Sequence, residues 1–177
     1  MDVEWSKTGC LIVKTKKFED ERGYFTELFK QSQHESKFYQ DNLSFSSEGV
    51  VRGMHFQTKN PQGKLIRCIS GLIIDVVIDL RKASPTYGVM EEFQLIAHAS
   101  DDNAIMIPPG FAHGFWAQSD SIVFYKCTTE YEPEYDSGIT PLDLEFPFPW
   151  KDEKNLIISV KDQKLQCFKE FDSKVGG

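Results

Sequence analysis

Apolar residues in this chain fall in short runs separated by polar turns, the pattern of strands rather than of long helices. The most apolar run lies within VVRGMHFQTKNPQGKLIRCISGLIIDVVIDL, residues 50–80. That stretch opens with β-favouring residues around His55 and crosses a polar turn from Thr58 to Gly63. It resumes at Leu65 to Ile69, breaks at Gly71 and continues from Leu72 to Leu80. Asp75 and Asp79 interrupt the last run. Strand residues four apart share a face, so both acids point the same way as Ile73 and Val77. Two carboxylates, a histidine, Lys64 and an arginine in so apolar a setting are costly to bury unless paired. The stretch is therefore the first candidate site.

The flanking sequence is punctuated in the same way. Residues 1–17 read as a first strand centred on Leu11-Ile12-Val13. FEDERGYFTELF, residues 18–29, reads as a charged turn ending at Arg22-Gly23, then a strand in which Tyr24, Thr26 and Leu28 oppose Phe25, Glu27 and Phe29. Residues 30–39 suit one or two helical turns, and 40–47 a loop or edge strand. Beyond the central stretch come a turn around Ser84-Pro85, a strand from Met90 to Ala97 with its acids on one side, and a turn at 99–103. A short strand from Ala104 to Ile107 stops at Pro108-Pro109-Gly110, and a further strand runs from Ile122 to Thr128. Residues 129–150 are rich in Pro, Asp and Glu and read as irregular. Leu156 to Val160 reads as a last strand, and the polar tail as a short helix. Many short strands with turns between them predict an all-β sandwich or barrel. With no repeat and no linker, residues 1–177 read as a single domain.

Composition narrows the function. Hydrophobic residues make up 40% of the chain, enough for a sizeable core, while the net charge of −7 argues against a general nucleic-acid partner. A local basic pocket for a small anion stays open. No apolar stretch approaches the roughly 18–20 residues of a membrane helix, and the start MDVEWSKTGC lacks the pattern of a secretory signal. Cys10, Cys68, Cys127 and Cys167 form no CxxC pair and read as reduced thiols of a cytosolic protein, although a long-range disulfide is compatible with the spacing.

Several residues carry possible chemistry. His55 is either a satisfied structural histidine or a base; Gly53 before it allows close backbone approach, and Lys64 beyond the PQG turn would place a cation near a forming oxyanion. Pro108-Pro109-Gly110-Phe111-Ala112-His113 has the spacing P-x-G-x-x-H, half of the metal-binding pattern of cupins. The other half fails, because position 57 is Gln57 and no glutamate occurs between His55 and Glu91. His34 and His98 lie in polar stretches, so no metal-ligand set is expected. Tyr125, in a strand pattern, reads as packing or as an acid. Tyr131, before Glu132-Pro133, reads as an exposed or a stacking aromatic, and Asp162 by default as a solvated acid. Loops of the form GxGxxG or GxxxxGK[ST], and a G-x-S-x-G elbow, are absent from the sequence.

Taken together, DERGYF (20–25), VVRGMHFQ (50–57), PQGKLIRCISGLIIDVVIDLRKASPTYG (61–88), IPPGFAHGF (107–115), FYKCTTEYEP (124–133) and SVKD (159–162) resemble the dTDP-4-dehydrorhamnose 3,5-epimerase family, in the family's order across most of the chain. The resemblance implies a cupin-like jelly-roll β-barrel with a few short helices, mainly near the C-terminus, that uses no metal and no cofactor. It implies a cytoplasmic enzyme acting on a dTDP-linked 4-keto-6-deoxyhexose, with protons removed and returned at C3 and C5. His55 matches the general base, Asp162 its orienting partner, Lys64 the cation beside the ketone oxygen and Tyr125 the acid on the opposite face. His113 and Asp75 match a supporting polar pair. Arg22 and Arg52 match the diphosphate contacts and Lys161 a further basic contact. Phe25, Glu27, Gln40, Asn42 and Tyr131 match positions that hold the nucleoside. A homodimer with exchanged N-terminal strands is also implied, so that some of these residues come from a partner.

The chain departs from the family where a Trp-Asn-Asp run is frequent and Thr140-Pro141-Leu142-Asp143 stands here; the tail is also on the short side. Both lie in a region expected to border the sugar pocket and bear on which product forms. The alternatives are an enzyme that inverts C3 or C5 alone or moves the ketone, a cupin-like sugar-binding module without turnover, and a metal-dependent dioxygenase.

Overall fold

Strands form between the turn signals of the sequence, and four of them, central in their sheets, are buried on both faces. The computed structural model describes residues 2–97 and 103–175; His98 and most of the predicted turn at 99–103 lie outside the described residues. The strands are β1 (Asp2–Trp5), β2 (Leu11–Lys14), β3 (Lys17–Asp20), β4 (Gly23–Thr26), β5 (Gln40–Ser46), β6 (Val50–Gln57), β7 (Lys64–Ser70), β8 (Leu72–Asp79), β9 (Met90–Ile96), β10 (Asn103–Ile107), β11 (Phe111–Ala117), β12 (Ser121–Cys127), β13 (Asp136–Gly138) and β14 (Ile157–Ile158). Two short helices, α1 (Val160–Gln163) and α2 (Phe168–Val175), end the described chain, and 3-10 turns stand at Gln31–Gln33 and Pro133–Tyr135.

Two six-stranded sheets face each other in a cupin-like jelly roll. One runs β1-β2-β10-β7-β12-β5; the other runs β13-β6-β11-β8-β9, with β14 added in parallel to β6. The β3–β4 hairpin stands apart as its own small sheet. Ile66, Cys68, Ile105 and Val123 of the first sheet meet Ile73, Val77, Phe93 and Phe115 of the second in the central core. The odd positions of β8 thus turn inward, and Asp75 and Asp79 share that face as predicted. The even positions, Val76 and Ile78, pack outward against Phe146, Phe148 and Trp150 from the irregular 139–150 segment and against Phe168 and Phe171 of α2. Burial on both faces explains why β8 reads as a continuous apolar run. The outer face of the first sheet is covered near Val13, Leu65 and Met106 by Phe29 and Phe38.

Several expectations change. The predicted first strand is a hairpin, β1 and β2, because Thr8-Gly9 turns the chain, with Gly9 at φ +88°. Residues 18–29 also form a hairpin, and its second strand ends at Thr26 rather than Phe29. The acids of β9 do not share one side. Glu91 and Glu92 are adjacent and so face opposite ways; Glu91 accepts hydrogen bonds from Ser6 Oγ and Thr8 N. The last strand holds two residues only, since Ser159 caps α1 by accepting from Asp162 N.

Candidate active site

The central interior is apolar at one end of the sandwich and polar at the other. The polar end opens into a cavity of about 660 Å³, walled by β5, β7 and β12 on one side and by β6, β11, β13, β14 and α1 on the other.

A bulge in β6 aims the principal side chains. Between the pairs His55–His113 and Arg52–Phe115, β6 advances three residues while β11 advances two. Residues three apart would ordinarily face opposite sides of a strand; the extra residue brings both Arg52 and His55 to the cavity, while Val51 and Met54 pack on the other face. Two glycines permit this. Gly53 sits at φ +117°, where a Cβ would lie 2.6 Å from the Gly114 Cα. A Cβ on Gly114 would in turn lie 2.4 Å from the Arg52 carbonyl oxygen. The close approach read from Gly53 is to the neighbouring strand.

His55 stands between two carboxylates. Its Nε2 lies 3.1 Å from Asp162 Oδ1, and its Nδ1 lies 3.8 Å from Asp136 Oδ1. Asp162, buried at the start of α1, also accepts from the Gly53 N–H at 3.2 Å. Burial alone would raise the Asp162 pKa, but the hydrogen bonds from His55, Gly53 and Ser159 hold it below the ordinary carboxylate value. Asp162 is thus a buried partner of His55, not the solvated acid that its local sequence suggests.

Lys64 begins β7 in the cavity wall. Burial pulls its ammonium below the usual lysine range, and Cys127, Asp75 and Asp136 oppose that through space. His113, on β11, lies with Nε2 2.8 Å from Asp75 Oδ2. Burial lowers its pKa against the pull of Asp75, so a neutral ring that donates from Nε2 satisfies the pair. Tyr125 enters from β12, on the sheet opposite His55. Burial raises its phenol, assisted by Cys127, and keeps it protonated.

A polar rim completes the mouth. Arg52 donates from Nε to Ser46 Oγ at 2.8 Å and from Nη2 to the Phe45 carbonyl at 2.9 Å, which leaves other guanidinium donors for a ligand. Gln40 accepts from the Tyr131 N–H at 2.7 Å and donates to Asn42 Oδ1 at 2.9 Å. Lys161 pairs with Asp136 Oδ2.

The structure therefore brings together His55, Lys64, Tyr125, Asp162, Arg52, Gln40, Asn42, His113, Tyr131 and Lys161 around one cavity, with Asp75 immediately behind His113. It does not bring Arg22, Phe25 or Glu27 there. Arg22 pairs with Asp20 on the exposed β3–β4 hairpin, Phe25 is 68% exposed, and Glu27 pairs with Lys30 at 2.9 Å. Thr140 to Asp143 do not border the cavity either: Asp143 accepts from the Phe168 N–H at the start of α2, and the Pro141 carbonyl accepts from Trp150 Nε1. The sequence reading missed Asp136, Gln57, Gln62 and Cys127, all in the wall. Among the described residues no group of three or more His, Cys, Asp or Glu side chains is arranged to hold a metal ion.

Comparison with known proteins places this geometry. Residues 5–170 match the family model described as dTDP-4-dehydrorhamnose 3,5-epimerase. The protein of that name from Methanothermobacter thermautotrophicus is 47% identical, over 95% of this chain and 94% of its own. The one from Escherichia coli is 40% identical, over 91% and 90%. A crystal structure of a dTDP-6-deoxy-D-glucose-3,5-epimerase from Legionella pneumophila, in complex with dTDP-4-keto-L-rhamnose, superposes with a TM-score of 0.91 at 32% identity, covering 98% of this chain and 96% of that one.

Proposed function

The chain belongs to the dTDP-4-dehydrorhamnose 3,5-epimerase family, and from that membership we propose that it inverts C3 and C5 of dTDP-4-dehydro-6-deoxy-D-glucose, an isomerase of dTDP-L-rhamnose synthesis. The observation that carries this reading is the opposition across one cavity of His55, on one sheet and backed by Asp162 of α1, and the protonated Tyr125 on the other sheet, with buried Lys64 in the wall.

The chemistry follows from that arrangement. A proton next to a ketone is acidic only when the resulting enolate is stabilised. His55 takes the proton from carbon, the C–H electron pair moves into the enolate, and the negative charge falls on the C4 oxygen beside the Lys64 ammonium. Asp162 orients the ring and favours its protonated form. Tyr125 returns a proton from the opposite face, and a change of face is what inversion requires. His113 lines the cavity as support, with Asp75 behind it. Arg52 and Lys161 hold the diphosphate, and Gln40, Asn42 and Tyr131 hold the nucleoside. The mechanism uses no cofactor.

Arg22, Phe25 and Glu27 fit the same reading if the β3–β4 hairpin completes the site of a second copy. The hairpin's exposed Phe18, Tyr24 and Phe25, and the exposed Leu43 and Phe45 on edge strand β5, support such a homodimer. No described helix is long and apolar enough to cross a membrane. The unbridged thiols Cys10, Cys127 and Cys167 support a cytoplasmic location. We read the whole chain as one catalytic domain.

The test is incubation with dTDP-4-keto-6-deoxyglucose in D₂O. Deuterium at both C3 and C5 is expected. Deuterium at one carbon would move the protein to the enzymes that invert a single centre, and none, with the nucleotide still bound, would sink the epimerase reading.

A further inference from the structure

The chain crosses from one sheet to the other beside the cavity. β12 ends at Cys127 in the first sheet, and β13 begins at Asp136 in the second. Residues 128–135 make the crossing, with Tyr131 in its middle. Two glutamines, one from each sheet, hold that point. Gln40 of β5 accepts from the Tyr131 N–H at 2.7 Å, and Gln57 of β6 accepts from the Glu132 N–H at 2.7 Å. These are the peptide groups on either side of the Tyr131 Cα, so together they fix the backbone from which the ring projects. Gln57 is held in turn: its Nε2 donates to the Asn60 carbonyl at 2.9 Å. Asn60, at φ +48°, donates from Nδ2 to Glu132 Oε1 at 2.6 Å, and Gln62 Nε2 donates to the Thr129 carbonyl at 2.9 Å. The turn between β6 and β7 is thereby laced to the crossing. Gln57 is 5% exposed and Tyr131 45%, so a buried amide anchors a ring that is open to a ligand.

We propose that Gln57 is a positioning residue for the nucleoside: it acts through the peptide that follows Tyr131 and, with Gln40, sets the direction in which the ring meets a base. The inference rests on the proposed role of Tyr131. Gln57 lines the cavity two residues beyond His55, but both of its hydrogen-bond partners are main-chain groups. That makes it a tie within the chain and not a ligand contact. A part-buried peptide N–H that loses its acceptor turns towards water, and at Glu132 such a turn carries the Tyr131 ring with it. The bond from the Tyr131 phenol to Asp136 holds the far end of the ring and leaves the backbone unfixed. His55 is held separately, by the pairing of β6 with β11. Loss of Gln57 is therefore felt by the base of a nucleotide, and not by its diphosphate or by the reacting carbons.

A double-variant cycle separates this role from direct contact. Gln57→Met keeps the volume and removes both bonds. Calorimetry should show dTDP bound about tenfold more weakly than by the unaltered protein, while inorganic pyrophosphate, which has no base to meet the ring, binds within about twofold of it. Tyr131→Ala should also weaken dTDP about tenfold. Adding Gln57→Met to Tyr131→Ala should cost no more than about a further twofold, because the ring that Gln57 positions is gone. In turnover, Gln57→Met should raise KM for dTDP-4-keto-6-deoxyglucose and leave kcat within about twofold, the mark of binding lost equally from ground and transition states. A full second tenfold loss in the double variant, an equal loss for pyrophosphate, or a fall in kcat at constant KM would overturn the inference. Gln57→Thr, a strand-favouring residue too short to make either bond, is the second variant should Gln57→Met not fold, and the same results decide it. Unchanged dTDP affinity in Tyr131→Ala would remove the nucleoside assignment and this inference with it. A loss there with none in Gln57→Met would remove the inference alone.

Discussion

Two buried acids on β8, four residues apart on one face, have opposite surroundings. Asp79 is fully satisfied. Arg81 grips it with Nε at 2.8 Å and Nη2 at 2.7 Å, Ser84 and Thr86 donate hydroxyls at 2.6 and 2.7 Å, and the Arg81 N–H adds a fifth bond at 2.9 Å. Asp75 has His113 at 2.8 Å, and its Oδ1 has no hydrogen-bond partner among the described residues. A protein that can satisfy a buried carboxylate this completely leaves another half-satisfied within one strand. The difference divides the sandwich into an end where polar groups are spent on holding the fold and an end where they are kept available for a ligand.

Substitutions at the two ends should therefore separate stability from activity. His55→Ala should give the largest effect, about a 10³-fold loss of deuterium exchange at both carbons, with dTDP binding by calorimetry nearly intact. Exchange at the normal rate would remove His55 as the base. Asp79→Ala should cost about 3 kcal/mol in chemical unfolding, because it strands a half-buried arginine and two hydroxyls, while the folded fraction keeps its turnover. Arg52→Ala should weaken dTDP about tenfold with little change in unfolding. Asp75→Asn should change stability by less than about 1 kcal/mol, since its partner is a neutral ring; a loss as large as that at Asp79 would erase the contrast.

The same contrast sets a pH response. Burial alone would raise Asp79, but Arg81, Ser84 and Thr86 outweigh it and bring the pKa from 3.8 to about 2. A depressed folded-state value means that this stabilisation is fully present above the unfolded value and is lost as pH falls towards 2. With allowance for partial exposure of Arg81, about 1–2 kcal/mol should disappear between pH 4 and pH 2. Asp79→Ala should flatten that part of the unfolding midpoint against pH.

Much of this was legible from local pattern. Apolar runs broken by turns located β6 to β8, and the two-residue period of a strand placed Asp75 and Asp79 on the face of Ile73 and Val77. Gly53 announced a close approach two residues before His55. What escaped was non-local. The bulge that turns Arg52 and His55 to one side exists only in the pairing of β6 with β11. Asp136 is one of four acids between Glu130 and Asp136, and only the pairing of β13 with β6 singles it out. The resemblance supplied Asp162, whose burial depends on a contact 109 residues away, to Gly53 N. It also named Arg22, Phe25 and Glu27, which this chain by itself holds away from the cavity.

The Gly53–Gly114 contact has a practical corollary for anyone redesigning the enzyme. In a combinatorial library over the cavity wall, Arg52, Gln40 or Tyr131 can be varied to recruit other nucleotides, since their side chains line the cavity. Positions 53 and 114 should return glycine alone under any selection that demands a folded product, because each added methyl would occupy the backbone of the other strand. The variable letters of the site are thus written on a spacing that tolerates no variation.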